Sequence, residues 1–248
     1  MHGWRARIGL ILPSANFTME PDFYKMIPEG ISVHAARMSS AHTNAEDLVE
    51  MGLQAVRAAE ELKTAAVDIL VFGYTSGSFL KGLGHDMEIT STIESATSIP
   101  TLTTSTAVVD ALRACNVKNV SVASPYNDEI NGKLRMFLEG NGFSVVALKG
   151  LGLGERKAIY SGSDTLISTI GIQEPYVAYK LVRSIATNDA DGFLIPCTNF
   201  RTIEVIQMLE DDLGKPVISS NQASLAMAFR RLGLKANIKG FGSLFNNC

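Results

Sequence analysis

The chain carries the same two strand endings twice, in the same order. Asp68-Ile-Leu-Val-Phe-Gly-Tyr74-Thr75-Ser76 lines up with Asp191-Gly-Phe-Leu-Ile-Pro-Cys197-Thr198-Asn199: an acid, an apolar run, then three residues with polar tips. Upstream of each, Arg7-Ile-Gly-Leu-Ile-Leu-Pro13-Ser14 matches Asn119-Val-Ser-Val-Ala-Ser-Pro125-Tyr126, followed by a segment rich in acids (Glu20 and Asp22; Asp128 and Glu129). An ordered repeat on this scale points to duplication into two similar lobes.

Short apolar runs supply the strands: Arg7–Leu12, Ile31–Ala36, Ile69–Gly73, Asn119–Ala123, Ser144–Leu148, Gly192–Pro196 and Pro216–Ser219. Continuous and rich in Val and Ile, they suit strands buried on both faces. Helix-period segments lie between them at Ala45–Ala65, Thr103–Cys115, Ile130–Gly140, Glu174–Thr187, Thr202–Leu213 and Ala223–Leu232. Asn44 and Asp164 are expected as N-caps, Gly140 and Gly214 as C-caps. The alternation predicts an α/β fold of two pseudo-symmetric lobes, each a mainly parallel sheet flanked by helices. Residues 1–104 plus 218–248 form the first lobe and 105–217 the second. Parallel sheets bind ligands beyond the carboxyl ends of their strands. Two facing lobes would therefore enclose one site, with Tyr74 and Cys197 on opposite walls.

Composition removes several alternatives. A net charge of -3 and a pI near 5.8 argue against a nucleic-acid footprint. Three cysteines, an odd and widely spaced set, argue against a disulfide scaffold. The four histidines form no metal-binding spacing. No apolar stretch approaches the roughly 20 residues that span a bilayer, and Met1–Ala6 leads into no signal-peptide pattern. The expectation is a soluble cytoplasmic protein that needs no metal and binds neither nucleic acid nor membrane. Gly150–Gly154 lacks the spacing of a dinucleotide loop and reads as a mobile connection.

Cys197 follows a strand and precedes a helix expected to begin near Thr202. The positive end of a helix favours a thiolate or a bound anion. Thr198 and Asn199 add polar groups beside it. The alternative is a buried structural cysteine. Thr75, Ser76 and Ser78 form a hydroxyl-rich loop in which Gly73 and Gly77 allow close backbone approach. Such a loop suits a carboxylate or an enediolate, or else is a turn with capping hydroxyls. Tyr126 could donate to a substrate oxygen or sit as a rim tyrosine. Ser14 and Asn16 could contact ligand or cap the following helix. Cys115 reads as packing and Cys248 as incidental.

These residues carry a family resemblance. Gly9-Leu-Ile-Leu-Pro-Ser-Ala-Asn16, Tyr74-Thr-Ser-Gly-Ser-Phe-Leu-Lys-Gly82, Ser105-Thr-Ala-Val-Val-Asp-Ala-Leu112, Pro125-Tyr-Asn-Asp-Glu-Ile-Asn131, Pro196-Cys-Thr-Asn199 and Gly214-Lys-Pro-Val-Ile-Ser-Ser220 span nearly the whole chain. Together they are similar to the aspartate/glutamate racemase superfamily and, within it, to arylmalonate decarboxylases and maleate cis-trans isomerases. The resemblance implies no cofactor and thiol chemistry between the lobes. Racemases and maleate isomerases of this superfamily use two cysteines, one from each lobe. The second matches Cys197, whereas the first falls on Tyr74, whose phenol is a poor substitute for a thiolate base. Arylmalonate decarboxylases carry a small residue there, followed by Thr-Ser. Their donor set maps onto Thr75, Ser76 and Tyr126. Those groups would hold the enediolate left by loss of carbon dioxide, and Cys197 would protonate it from one face. Ser14 and Asn16 would hold the second carboxylate or line the wall. Gly77 stands where the decarboxylases carry a larger apolar residue, and Thr-Ser-Gly-Ser looks more like the isomerases.

The leading expectation is a cofactor-independent decarboxylase acting on a malonate-type or related small dicarboxylate. Alternatives are a maleate isomerase-like enzyme with Cys197 as nucleophile, an Asp/Glu racemase-type enzyme, and a non-catalytic dicarboxylate-binding homologue. Side-chain selectivity would lie in the loops Ser39–Asn44 and Gly150–Lys157. A homo-oligomer is left open.

Overall fold

A computed structural model of the chain describes residues 2–39, 45–153, 157–159, 166–235 and 237–246. The first half runs β1 (Ala6–Pro13), α1 (Met19–Met26), β2 (Ile31–Met38), α2 (Ala45–Thr64), β3 (Ile69–Phe72), α3 (Thr75–Phe79), α4 (His85–Thr97), β4 (Thr101–Thr103) and α5 (Thr104–Ala114). The second runs β5 (Asn119–Ser124), α6 (Asp128–Gly140), β6 (Ser144–Gly150), β7 (Lys157–Ile159), β8 (Leu166–Ser168), α7 (Pro175–Ser184), β9 (Gly192–Ile195), α8 (Ile206–Leu213), β10 (Val217–Ser219) and α9 (Ser220–Arg231).

Two parallel four-stranded sheets result, in the orders β2-β1-β3-β4 and β6-β5-β9-β10. The repeat is thus four strands deep, and the expected two-lobed α/β architecture is what the chain adopts. The paired acids of the repeat do the same job twice. Asp68 accepts the Arg7 N–H at 2.7 Å, and Asp191 accepts the Asn119 N–H at 2.8 Å, each tying the central pair of its sheet. The central strands are buried along nearly their whole length, including Phe72 and Phe193. Each fully buried Leu, Ile or Phe contributes about 1.5–3 kcal/mol.

Helix α9 sets the geometry of the centre. Ser220 to Phe229 are buried on every side. A helix so enclosed packs in the core rather than at the surface. It follows β10 of the second sheet yet lies against α1, α5, β3 and β4 of the first half. Arg231 donates to the Thr101 carbonyl at 2.7 Å, and Ser224 donates to Thr104 Oγ1 at 3.3 Å. A capping box of Ser219 and Gln222 fixes its start. The end of β10 and the first turn of α9 therefore lie where the halves meet.

Several expectations need correction. Helix α8 begins at Ile206, not near Thr202. Gly142, with φ +91°, turns the chain after α6, while Gly140 stays inside the helix. Gly214, with φ +62°, ends α8 as expected. Gly150–Leu153 is no mobile connection: Leu151, Gly152 and Leu153 donate to the carbonyls of Ser124, Tyr126 and Pro125 at 3.0, 3.1 and 3.0 Å. The antiparallel pair β7–β8 follows. The short β4 and the Thr- and Ser-rich α4 gave too weak a periodicity to read. Cys115 packs at the end of α5 as expected, and it is also disulfide-bonded, against the expectation from the spacing of the cysteines. The expected caps Asn44 and Asp164, Gly154, Cys248 and most of the Ser39–Asn44 loop lie outside the described residues as well. Among the described residues, no helix is long and apolar enough to cross a membrane, and no three His, Cys, Asp or Glu group as a metal site.

Candidate active site

Cys197 stands just beyond β9 with φ +93°, a conformation that L side chains rarely adopt. Such a backbone costs about 1–3 kcal/mol and persists only when its surroundings fix it. Here the Cys197 N–H donates to Ser220 Oγ at 3.0 Å. Helix α8 starts nine residues later, so its terminus does not abut the sulfur; the helix start beside the thiol loop is that of α9, whose first residue is Ser220. The expected thiolate does not follow from it. Burial dominates instead and pushes the thiol up to about 11. The groups that pull it partly back are dipoles: the Asn199 N–H, the Tyr126 hydroxyl and the Phe200 N–H. At neutral pH Cys197 carries its proton.

A set of hydroxyls surrounds the thiol. Ser220 Oγ, already accepting from Cys197, lies 3.1 Å from Thr75 Oγ1. Its own proton can go to Thr75, which frees the Thr75 proton for a ligand. Ser78 and Ser105 donate to the Thr75 carbonyl at 2.9 and 3.1 Å and so fix the loop. Ser76 is partly exposed beside Thr75. Tyr126 is buried with its ring edge against Phe79, the centroids 6.3 Å apart. Its hydroxyl lies against the Cys197 thiol and the Thr75 side chain, and among the described residues it makes no hydrogen bond of regular geometry. Burial, then the neighbouring Cys197, holds that phenol well above its ordinary range, so it is a donor.

The remaining residues singled out in the sequence join the lobes. Asn16 Nδ2 donates to Thr198 Oγ1 at 2.9 Å, and Thr198 donates to the Gly73 carbonyl at 3.0 Å. Asn16 Oδ1 also accepts from Thr18 and Met19, at the start of α1. Asn199 accepts from the Phe17 N–H at 3.1 Å, and its carbonyl accepts from Thr18 Oγ1 at 3.1 Å. The side chains of Asn16, Thr198 and Asn199 are thus occupied in holding the Pro13–Thr18 loop against the thiol loop. Ser14 is exposed at the rim.

Comparison with known proteins fits this geometry. The family profile of arylmalonate decarboxylase matches residues 8–245. The chain belongs to that family. It is 28% identical over 240 residues to arylmalonate decarboxylase of Bordetella bronchiseptica, covering 96% of each chain. It is 25% identical over 254 residues to maleate isomerase of Geobacillus stearothermophilus, covering 97% of each. A liganded double mutant of arylmalonate decarboxylase superposes with a TM-score of 0.85 at 26% identity, covering 98% of this chain and all of the other. The relatives of this arylmalonate decarboxylase family member are enzymes of two kinds, and identity near 25% does not separate them.

Tyr74 packs partly buried beside Phe72, centroids 6.4 Å apart. Its ring also covers Gly77: a Cβ built there would lie 2.4 Å from Tyr74 Cδ1. No real side chain tolerates that approach, so the large residue at 74 requires the absent one at 77. Gly77→Ala should lose about 1–3 kcal/mol by overpacking. In the Tyr74→Ala background the same change should lose less than about 0.5 kcal/mol, because nothing then opposes the new methyl. Urea unfolding of the four proteins measures both.

Ser220, Asn221, Asp22 and Ser105 escaped the sequence reading. The signal was a further repeated segment, of which the Thr101 copy is too polar to register as a strand. Thr101-Leu-Thr-Thr104-Ser105 corresponds to Val217-Ile-Ser-Ser220-Asn221. Ser105 donates to the Thr75 carbonyl, and Asn221 donates to the Thr198 carbonyl at 3.1 Å. Equivalent positions thus steady equivalent loops.

Proposed function

We propose that this chain is a cofactor-independent decarboxylase of malonate-type small dicarboxylic acids. The observation that carries the reading is the Cys197 thiol set against a buried phenol, Tyr126, with the Thr75 hydroxyl beside them. The carboxylate that the substrate keeps accepts hydrogen bonds from Thr75, Ser76 and Tyr126. The bond between Cα and the carbon of the other carboxylate breaks, carbon dioxide leaves, and the electron pair enters an enediolate formed with the kept carboxylate. Negative charge grows on the oxygens that face those donors, where fixed dipoles stabilise it most. The Cys197 S–H then gives its proton to Cα from one side, and the thiolate regains a proton from water. A thiol held near 11 suits this role, since it arrives protonated and forms a strong base only after transfer. Ser14, exposed on the loop that Asn16 ties to the thiol loop, would meet the second, departing carboxylate.

Maleate isomerisation is the second reading, favoured by the maleate isomerase relatives. It needs Cys197 as a thiolate nucleophile, the form that burial disfavours. Proton NMR decides between them. An α-aryl-α-methyl malonate should lose one carboxyl group in the presence of the protein, while maleate stays unchanged. Fumarate formed from maleate, with the malonate intact, would replace the first reading by the second.

A further inference from the structure

Asp22 lies in the first turn of α1, yet it points inward and is 2% exposed. Its partner is the Asn221 side-chain amide, which donates to Asp22 Oδ2 at 2.8 Å. The same nitrogen donates to the Thr198 carbonyl at 3.1 Å. That carbonyl belongs to the Thr198–Asn199 peptide, whose N–H is one of the groups facing the Cys197 sulfur. A line of contacts therefore runs from a buried carboxyl, through one amide and one peptide plane, to the thiol.

We infer that Asp22 is a positioning residue for the thiol: through Asn221 it fixes the peptide whose N–H addresses Cys197. Both partners of Asn221 Nδ2 are acceptors, so an ionised Asp22 sets the orientation of the amide. Asn221 Oδ1 is buried with no partner among the described residues. A protonated Asp22 can donate to that oxygen, which turns the amide and releases the Thr198 carbonyl. The charged groups around Asp22 are Lys25 on its own helix and Arg201 and Glu204 on the segment before α8. Lys25 and Arg201 both pair with Glu204, at 2.9 and 4.0 Å, and none of the three replaces Asn221 at the carboxyl. Burial raises the Asp22 carboxyl to about 7, which brings the exchange into the neutral range.

The inference shares with the proposed function only the choice of Cys197 as the working group. Its test therefore uses iodoacetamide rather than a malonate. Alkylation of Cys197 is followed by peptide mass spectrometry from pH 5.5 to 9 in the full-length chain. Asp22→Leu and Asn221→Ala should slow alkylation at pH 8 about threefold to tenfold, since the thiolate loses a fixed donor. Asp22→Asn keeps an acceptor oxygen and should stay within about twofold. The wild-type profile should carry an extra inflection near pH 7 that Asp22→Asn lacks. Folding of each variant is checked by its urea midpoint. Superimposable profiles for folded Asp22→Leu, Asn221→Ala and wild type would overturn the inference. Should Asp22→Leu fail to fold, an inflection near pH 7 that persists in Asp22→Asn overturns it equally.

Discussion

Cys197→Ala should lower kcat for malonate decarboxylation by about 10²–10⁴, with KM little changed. The size follows from the role. A positioned acid that transfers its proton in or just after the transition state contributes about that much. The small effect on KM follows from the site's layout. Thr75, Ser76 and Tyr126 hold the substrate oxygens, and none of them depends on the sulfur for its place. Thr75 is fixed through its carbonyl by Ser78 and Ser105, and Tyr126 by packing on Phe79. A group used after substrate is bound lowers kcat and kcat/KM together. Steady-state carbon dioxide release measures both constants. A variant that keeps wild-type kcat would remove the thiol from the mechanism.

The second large effect concerns stability. Asp22 ionises near 7 in the folded chain against a reference of 3.8, with burial as the first cause and the Asn221 hydrogen bond opposing it. A carboxyl raised on folding binds its proton more tightly in the folded state. Its contribution is therefore fully present below about pH 4 and is lost as pH rises through 7. A difference of about three pK units corresponds to about 4 kcal/mol. Asp22→Asn cannot ionise. Relative to its own value at pH 4, its stability advantage over wild type should grow by a few kcal/mol by pH 8. Urea unfolding across that range gives the difference directly, and other titrating groups cancel in it. A gap between the two proteins that stays constant with pH would mean Asp22 ionises as an ordinary surface carboxyl. The chain thus keeps a destabilising charge behind its thiol, the kind of conflict found where function opposes stability.

The lobes and the thiol were legible in the sequence because duplication writes the same strand ending twice. Asp68 and Asp191 mark both copies, and each proves to tie its own sheet. Of the fourth strand pair, Pro216–Ser219 was legible as a short apolar run, whereas Thr101–Thr103 is three residues long with Thr at both ends. Ser220 and Asn221 were missed because they sit at the first turn of a helix that crosses to the other half. No local pattern announces such a crossing. The helix expected to start just after Cys197 starts later, and burial rather than that terminus dominates the protonation of the thiol. A helix start is set by where the backbone first closes its hydrogen bonds, and Arg201 to Val205 form a turn before doing so. Asp22 was read only as one of two acids, with Glu20, that follow the first strand ending. Its inward direction depends on α9, which lies far away in the chain.

Chiral analysis of the monoacid formed from a prochiral α-aryl-α-methyl malonate is the most direct test of one-sided proton delivery by Cys197. Wild type should give a single enantiomer, and Cys197→Ala should give its residual product as a racemate, because water then protonates both faces. A racemic product from the wild type, or an unchanged enantiomer from Cys197→Ala, would contradict it.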